Sequence, residues 1–191
     1  MINLNDNKQA LKKKLLLQRK NLSSFDVFIK SWFVQENLLN SVFFSKSTVL
    51  GVYYPILNEV QTYRIIQKSL SIKKKVCLPK LQDGEIIFFS ITTLNDLIIG
   101  KYNILEPLPN KNNVCNDMDT VITPGIVFDR CGYRIGYGKG YYDKYLSKFS
   151  KQKIIIIGLA YEFQLISEFI RYELHDVKLD VLITDKEILL I

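Results

Sequence analysis

The sequence contains little of what metal centres and disulfide scaffolds need. Its 191 residues include one histidine, His175, so a site that requires two histidines cannot be built. The three cysteines, Cys77, Cys115 and Cys131, are odd in number and widely spaced. This pattern argues against a disulfide framework and against a structural zinc site. It is typical of a reducing compartment, and we expect a cytoplasmic location.

Long apolar runs are also missing. The most apolar windows, such as 153–161, are far shorter than the roughly 20 residues that a membrane helix needs. The N-terminus has no basic segment followed by an apolar run, so it does not have the form of a secretory signal. We therefore expect no membrane partner.

The overall composition is that of a globular protein with a core and an anionic partner. Hydrophobic residues make up 48% and charged residues 24% of the chain, and the net charge is +7. A nucleotide, a nucleic acid, a polyanionic small molecule or a membrane surface would suit this charge, which does not choose among them. No repeat or linker divides the sequence, which predicts a single domain over residues 1–191.

The first forty residues show helical spacing. Leu11, Leu15 and Leu16 predict an amphipathic helix ending near Lys20, with the basic residues, Arg19 among them, on its outer faces. Ser23 or Ser24 can cap a second helix. We expect the apolar side chains of that helix to lie in the core, namely Phe25, Phe28, Ile29, Trp32 and Phe33.

Beyond residue 47, strand-like and helix-like runs alternate. Helices are predicted at 62–71, 141–149 and 162–169, and residues 92–120 look irregular. Strands are predicted at 48–54, 75–79, 85–89, 121–128, 153–160 and 181–184. The alternation indicates an α/β domain with a mainly parallel central sheet flanked by helices, in which ligands bind at the carboxyl ends of strands.

The loop between residues 129 and 141 carries the strongest functional signal. Four of the nine glycines lie between Gly132 and Gly140, after a strand-like run and before a helix-like one. Backbone N–H groups in such a loop can converge on an anion. Arg134 and Lys139 could add charge to a phosphate site, and Asp143 could hold a divalent cation.

Known glycine motifs fit this loop poorly. A P-loop fails because Gly138-Lys139 is followed by Gly140 instead of Ser or Thr, and a dinucleotide fingerprint would lie earlier in the chain. A phosphate loop of its own kind remains. Taken singly, Asp143 could complement the helix dipole, Arg134 could form a structural ion pair, and Tyr141-Tyr142 could pack in the core. These separate explanations account poorly for the presence of all these residues in one loop.

The whole segment resembles the signature of the 5-formyltetrahydrofolate cyclo-ligase family, also called methenyltetrahydrofolate synthetases. The match is Arg134-Ile135-Gly136-Tyr137-Gly138-Lys139-Gly140-Tyr141-Tyr142-Asp143, preceded by Pro124-Gly125-x-x-Phe128-Asp129-x-x-Gly132. Other segments agree along nearly the whole chain: Lys8-x-x-Leu11-Lys12, Tyr54-Pro55-x-x-x-Glu59-x-x-Thr62, Glu106-Pro107, Ile157-Gly158-Leu159-Ala160-Tyr161-x-x-Gln164 and Glu173-x-His175-Asp176.

The resemblance implies a three-layer, Rossmann-like domain and a ligase that uses ATP and Mg²⁺. The reaction would convert 5-formyltetrahydrofolate to 5,10-methenyltetrahydrofolate and release ADP and phosphate. In it the formyl oxygen attacks the γ-phosphate, which gives a phosphorylated imidate, and N10 then displaces phosphate. Such chemistry rests on alignment and charge neutralisation, and it needs no histidine base or cysteine nucleophile.

Roles carry over from the resemblance position by position. Phosphate-binding roles would fall to Lys8 and Lys12 and to the loop 134–142, with Arg134 and Lys139 also catalytic. Asp143 and Asp176 would hold Mg²⁺. Tyr54, the catalytic Glu59 and the segment 137–141 would contact the folate. We expect a monomer whose partner is a folate, for which the positive charge would also suit a tail of several glutamates.

Two positions depart from the family pattern, and two other functions compete with it. Lys12 stands where an Arg is usual and lacks the bidentate fork, and Arg171 stands where a Pro often precedes the Glu-x-His-Asp motif. A basic nucleic-acid-binding module would use the tyrosines for stacking, but the basic residues are dispersed. A nicotinamide-dependent Rossmann-like enzyme lacks its early glycine fingerprint here.

Overall fold

A computed structural model describes residues 4–100, 104–149 and 154–191. Its helices are α1 Leu4–Lys20, α2 Ser24–Leu39, α3 Val42–Lys46, α4 Tyr63–Ser71 and α5 Tyr141–Leu146. Its strands are β1 Val49–Val52, β2 Lys75–Gln82, β3 Glu85–Ile91, β4 Leu97–Ile99, β5 Leu105–Pro107, β6 Thr120–Thr123, β7 Val127–Asp129, β8 Arg134–Ile135, β9 Ile155–Leu159, β10 Leu165–Ile166, β11 Val181–Ile183 and β12 Ile188–Leu190.

A seven-stranded sheet in the order β12-β11-β9-β6-β1-β2-β3 forms the centre of the molecule. The five inner strands are parallel, and β3 and β12 add an antiparallel edge on each side. The predicted α/β class with a mainly parallel sheet is thus confirmed. The chain adds β2 on one side of β1 and β6 on the other, so the strand order reverses between β1 and β6. Ligand sites in such sheets lie outside the carboxyl ends of the strands at this point.

Alternating side chains of the inner strands fill two cores, because successive residues of a strand point to opposite faces. Val52, Ile122 and Ile157 pack in one cluster with α2 and α4. Val121 and Ile156 pack in a second cluster with α5. Nearly continuous apolar strands are what a sheet buried on both faces requires.

The second helix buries a different face from the one predicted. Ser23 caps it as expected, accepting the Asp26 N–H at 3.0 Å. Its core side chains are Val27, Val34 and Leu38, while the aromatic residues are largely exposed: Phe25 72%, Phe28 60%, Trp32 41% and Phe33 51%, with Ile29 at 36%. The predicted core position of these five is wrong. Apolar residues surround the helix, so periodicity alone does not identify its inner face.

Three sequence-based assignments need correction between residues 92 and 169. The predicted strand 121–128 is two strands, β6 and β7, because Pro124-Gly125 ends the first and the second pairs with β8 and β10 in a separate sheet. The irregular stretch contains the hairpin β4–β5. The predicted helix at 162–169 is only a 3₁₀ turn, Glu162–Gln164, followed by β10.

The cysteines also depart from expectation. Cys77 and Cys115 form a disulfide, with 2.12 Å between the sulfurs, so the inference against disulfide bonding is wrong for this pair. The bridge arises because Val114 pairs with Phe89 on β3 and brings Cys115 beside β2, a contact that spacing along the chain does not show. Cys131 is free. Within the described residues there is no group of three or more His, Cys, Asp or Glu side chains that could hold a metal ion.

The described helices are all too short or too polar to span a bilayer.

Candidate functional site

The candidate site lies where the loops after β1 and β6 meet the end of α1 and the glycine-rich loop. The Asn58 side chain donates to the carbonyl oxygens of Arg19, Lys20 and Leu22, which joins the loop after β1 to the end of the first helix. The Tyr161 hydroxyl donates to the carbonyl of Glu59 at 3.1 Å. The fold therefore brings the predicted substrate loop and the predicted basic helix together at the reversal point of the sheet.

Arg19 lies at the centre of this junction, although its position in the helix predicts a surface side chain. It is only 1% exposed. Its Nη1 donates to the Gly125 carbonyl at 3.0 Å, and its Nη2 donates to the Tyr137 hydroxyl at 2.6 Å. The same Nη2 lies 3.8 Å from Glu59 Oε1. The surface prediction for Arg19 is wrong, and no helical pattern marks the residue, because its partners come from three other segments.

Glu59 is buried and only partly satisfied. Its Oε2 accepts the Ile56 N–H at 3.0 Å, but its Oε1 has no hydrogen-bond partner in the described part of the chain. Burial raises the pKa of this carboxyl to about 7, although Arg19, the Ile56 N–H and the Tyr137 hydroxyl oppose the rise. A buried carboxyl with a free oxygen and a pKa near neutrality can accept a ligand N–H or exchange a proton.

The glycine loop combines left-handed backbone with open space. Gly138 has φ +99° and Gly140 has φ +61°, values that residues other than glycine rarely adopt. A Cβ built on Gly136 or Gly140 would meet no atom within 4 Å. The loop thus leaves backbone accessible on the side where a ligand would approach.

Of the two predicted lysines of α1, Lys12 reaches this loop and Lys8 reaches the segment that precedes Asp176. Lys12 Nζ donates to the Tyr137 carbonyl at 2.8 Å, and Lys8 Nζ donates to the Arg171 carbonyl at 3.4 Å. Burial, and then the nearby charge of Lys8, lowers the pKa of Lys12. Two cations one helical turn apart raise each other's free energy, which an anion between them would relieve.

Arg134 and Asp143 form an ion pair. Arg134 Nη2 donates to Asp143 Oδ1 at 2.9 Å, and Nη1 donates to the Val177 carbonyl at 2.8 Å. The Val177 N–H also donates to Asp143 Oδ1. Burial lowers the pKa of Arg134, which Asp143, and more weakly Asp176, counteract. The two predicted metal ligands therefore lie near one guanidinium, and Asp176 itself accepts the Glu173 N–H at 2.8 Å.

The remaining predicted residues surround this centre. Tyr54 packs edge-on against Tyr63, with 5.3 Å between ring centroids, and burial raises its pKa to about 12. Burial, and then the charge of Glu59, raise the pKa of Tyr142. Ile135 is buried, Tyr141 is half-buried and Lys139 is exposed. The site thus offers cations and open backbone at one end and a buried carboxyl with tyrosines at the other.

Comparison with known proteins identifies the family of the chain. The sequence model of the 5-formyltetrahydrofolate cyclo-ligase family matches residues 4–185. The chain is 32% identical over 183 residues to 5-formyltetrahydrofolate cyclo-ligase of Mycoplasma pneumoniae, covering 94% of this chain and 99% of that protein. It is 30% identical over 195 residues to the mitochondrial 5-formyltetrahydrofolate cyclo-ligase of Arabidopsis thaliana, covering 87% and 70%.

A solved structure extends the likeness to the fold. The structure superposes on that of Aquifex aeolicus 5,10-methenyltetrahydrofolate synthetase with a TM-score of 0.84 and 34% sequence identity, covering 96% of this chain and 92% of that one. The sequence and the fold agree. The chain belongs to the 5-formyltetrahydrofolate cyclo-ligase family.

Proposed function

We propose that this chain catalyses the ATP- and Mg²⁺-dependent closure of 5-formyltetrahydrofolate to 5,10-methenyltetrahydrofolate, with release of ADP and phosphate. The observation that carries the proposal is the meeting of Lys12, the open glycine loop and the unsatisfied Glu59 carboxyl at one edge of the sheet. An anion-binding end and a proton-accepting end are what this reaction needs side by side. The names of the family and of its relatives support the same reaction class.

The phosphates of ATP would bind at the end formed by α1 and the glycine loop. Lys8, Lys12 and Lys139 would supply charge, and the backbone around Gly136, Gly138 and Gly140 would supply N–H donors. Open space beside Gly136 and Gly140 fits such a role, because a side chain there would occupy the room that a phosphate needs. Arg134 would have part of its effect by holding Asp143, because its guanidinium already donates a hydrogen bond to that carboxylate.

Asp143 and Asp176 would hold Mg²⁺, and the donor set fits this ion. Magnesium is commonly bound by one or two carboxylates together with substrate phosphates, so two protein ligands are enough. Asp143 uses its Oδ1 for Arg134 and Val177, and Asp176 uses its Oδ2 for Glu173, so each carboxylate has a second oxygen to offer. The ion would neutralise charge on the phosphates during transfer.

The folate would occupy the end formed by Tyr54, Glu59 and residues 137–141. Ring closure creates a positively charged amidinium across N5 and N10, and N10 must lose a proton as it bonds to the formyl carbon. An ionised Glu59 can stabilise the charge and accept the proton, since its pKa of about 7 suits proton transfer near neutrality. Tyr54 would contact the ring.

The steps would be those that the resemblance to the family implies. The formyl oxygen bonds to the γ-phosphorus as the bond to ADP breaks, which converts a poor leaving group into phosphate. N10 then attacks the formyl carbon, phosphate departs and the N10 proton passes to Glu59. Positioning and charge neutralisation carry most of the rate enhancement in phosphoryl transfer.

The proposal includes the finer structural and cellular expectations. They are a single, three-layer Rossmann-like domain over residues 1–191, a monomeric state, a cytoplasmic location and acceptance of polyglutamated folate. One relative is named as mitochondrial, so the location needs its own measurement.

The test is the appearance of methenyl absorbance in the near ultraviolet. Purified protein with 5-formyltetrahydrofolate, ATP and Mg²⁺ should form the chromophore and release one ADP per product, and omission of ATP or addition of a chelator should stop it. A folded protein that forms no chromophore at high substrate concentration would refute the proposal. Salt-sensitive RNA binding or nicotinamide binding without ATP binding would favour the alternatives.

A further inference from the structure

We propose that Arg19 is a positioning residue of this site, which ties the loop that carries Glu59 to the glycine loop that carries Tyr137. The inference rests on the proposed function, since it assigns a role toward groups that would contact the folate. Arg19 belongs to none of the segments by which the sequence resembles the family. The structure alone brings it to the site.

The guanidinium fork connects three segments. Nη1 bonds to the Gly125 carbonyl after β6, Nη2 bonds to the Tyr137 hydroxyl of the glycine loop, and Nη2 also faces Glu59 of the loop after β1. A planar guanidinium presents these donors in fixed directions, which an ammonium cannot do. One side chain therefore bonds to the glycine loop at Tyr137 and holds its charge 3.8 Å from Glu59.

Stability alone explains this arrangement poorly. Arg19 is 1% exposed and Glu59 is 3% exposed, so two charged groups have been removed from water. Their closest approach is 3.8 Å, too long for a hydrogen bond, and both Arg19 Nε and Glu59 Oε1 are buried without partners in the described part of the chain. A buried pair with unmade hydrogen bonds contributes little net stability. It does hold the guanidinium charge beside the carboxyl.

Arg19 also controls the charge of Glu59. The titratable groups that act on this carboxyl or respond to it are Arg19 from α1, Tyr53 at the end of β1, Tyr137 of the glycine loop, Tyr142 from α5 and Tyr161 after β9. Arg19 is the one cation among these described residues. Burial raises the pKa of Glu59, and Arg19 is the main influence that lowers it. Removing the charge should therefore raise this pKa further.

Two substitutions separate charge from geometry. Arg19→Gln should move the acid limb of the pH profile of kcat/KM upward by about one to three pH units, the effect of losing an opposite charge at this range. At pH 7, where about half of the wild-type Glu59 is ionised, this corresponds to a loss of about fivefold to several hundredfold, partly recovered at pH 9. Arg19→Lys should keep the limb near its wild-type position and lower kcat/KM across the whole pH range, because the fork is lost.

Arg64→Gln is the matched control. Arg64 of α4 also bonds to a glutamate, Glu36 of α2 at 2.8 Å, and it is not among the groups that shift the pKa of Glu59. Its substitution should leave the acid limb unchanged. An unchanged limb in Arg19→Gln, or an equal shift in Arg19→Lys, would overturn the proposal. If Arg19→Gln does not fold, Arg19→Lys decides, because wild-type kcat/KM in that variant would also overturn it.

A measurement without turnover separates this proposal from the proposed function. Carbon-13 NMR of the glutamate carboxyls, with Glu59→Gln to assign the signal, gives the Glu59 pKa directly. It should rise in Arg19→Gln and stay near the wild-type value in Arg19→Lys, whether or not the protein forms the methenyl chromophore. An inactive wild type with this shift would reject the proposed reaction alone. An active wild type without the shift would reject the role of Arg19 alone.

Discussion

Arg134 donates to Asp143 across 2.9 Å, and this pairing joins a predicted phosphate ligand to a predicted metal ligand. The Arg134 side chain is 4% exposed and the Asp143 side chain 21%. The Val177 N–H bonds to the same carboxylate oxygen. Asp143 therefore has a structural role beside the metal-binding role proposed for it, because its charge holds the loop that precedes α5 to the segment after Asp176.

Asp143→Asn should lower both activity and stability. Loss of the negative charge leaves a buried guanidinium without its counter-ion, which we expect to cost about 2 kcal/mol of unfolding free energy. Activity should fall below detection if Asp143 binds Mg²⁺. Urea unfolding and the absorbance assay, run on the same preparation, measure the two effects.

Asp176→Asn is the companion variant. Asp176 is half-buried and accepts one backbone N–H, so its loss should change stability by less than about 1 kcal/mol. Activity should again be lost, and higher Mg²⁺ concentrations should restore part of it. Full activity in this variant at low Mg²⁺ would remove Asp176 from the metal site.

Replacing two glycines by alanine should distinguish a loss of space for the ligand from strain in the backbone. Gly136→Ala should change stability by less than about 0.5 kcal/mol, because its Cβ meets no neighbour, but it should raise the KM for ATP. Gly138→Ala should cost about 1–2 kcal/mol, because its φ of +99° strains any side chain. An unchanged KM for ATP in Gly136→Ala would contradict phosphate binding at this face of the loop.

Glu59→Gln should flatten the pH dependence of stability. The folded protein holds a proton on Glu59 up to about pH 7, whereas the unfolded chain releases it near the ordinary value of 4.5. The folded state therefore binds this proton more tightly than the unfolded chain does, and the stability of the wild type falls as pH rises from 4.5 to 7. Glu59 contributes roughly 3 kcal/mol to this fall in unfolding free energy. Urea unfolding at pH 5, 6, 7 and 8 should show this fall to be absent from the variant.

Glu36→Gln serves as the comparison for Glu59→Gln. The pKa of Glu36 is lowered by its hydrogen bond to Arg64, so this group stays ionised between pH 5 and 8 in both states. Its substitution should leave the slope of stability against pH unchanged over that range. Equal slopes in wild type and Glu59→Gln would mean that Glu59 is not buried as described.

Two variants of α2 should confirm which face is buried. Val34→Ala removes a fully buried side chain and should cost about 2–3 kcal/mol. Phe25→Ala removes a ring that is 72% exposed and should change the unfolding free energy by about 0.5 kcal/mol or less. A larger loss of stability in Phe25→Ala than in Val34→Ala would mean that the aromatic face of α2 is the buried one.

Only one cysteine should react with a thiol reagent in the unreduced, denatured protein. Cys131 is free, while Cys77 and Cys115 should react only after reduction. Reduction should lower stability by about 2–4 kcal/mol, because the bond closes a chain segment between residues 38 positions apart. Three reactive thiols before reduction would exclude the disulfide.

The sequence by itself determined the fold class and the location of the glycine loop. The apolar run 181–184 matches β11, and Asp83-Gly84 marks the turn of the β2–β3 hairpin. Both patterns depend only on neighbouring residues and on the two faces of one sheet. The glycine spacing also separated this loop from a P-loop. These signals are local, so they can be read along the chain.

Tertiary structure decided which distant groups meet and which faces are buried. Arg19 looks like its exposed neighbour Lys20, yet its partners Gly125 and Tyr137 lie more than 100 positions away. Phe25 and Val34 are both apolar, and only packing against the sheet separates them. A side chain's surroundings depend on which segments the sheet topology brings to it, and no local pattern along the chain contains that information.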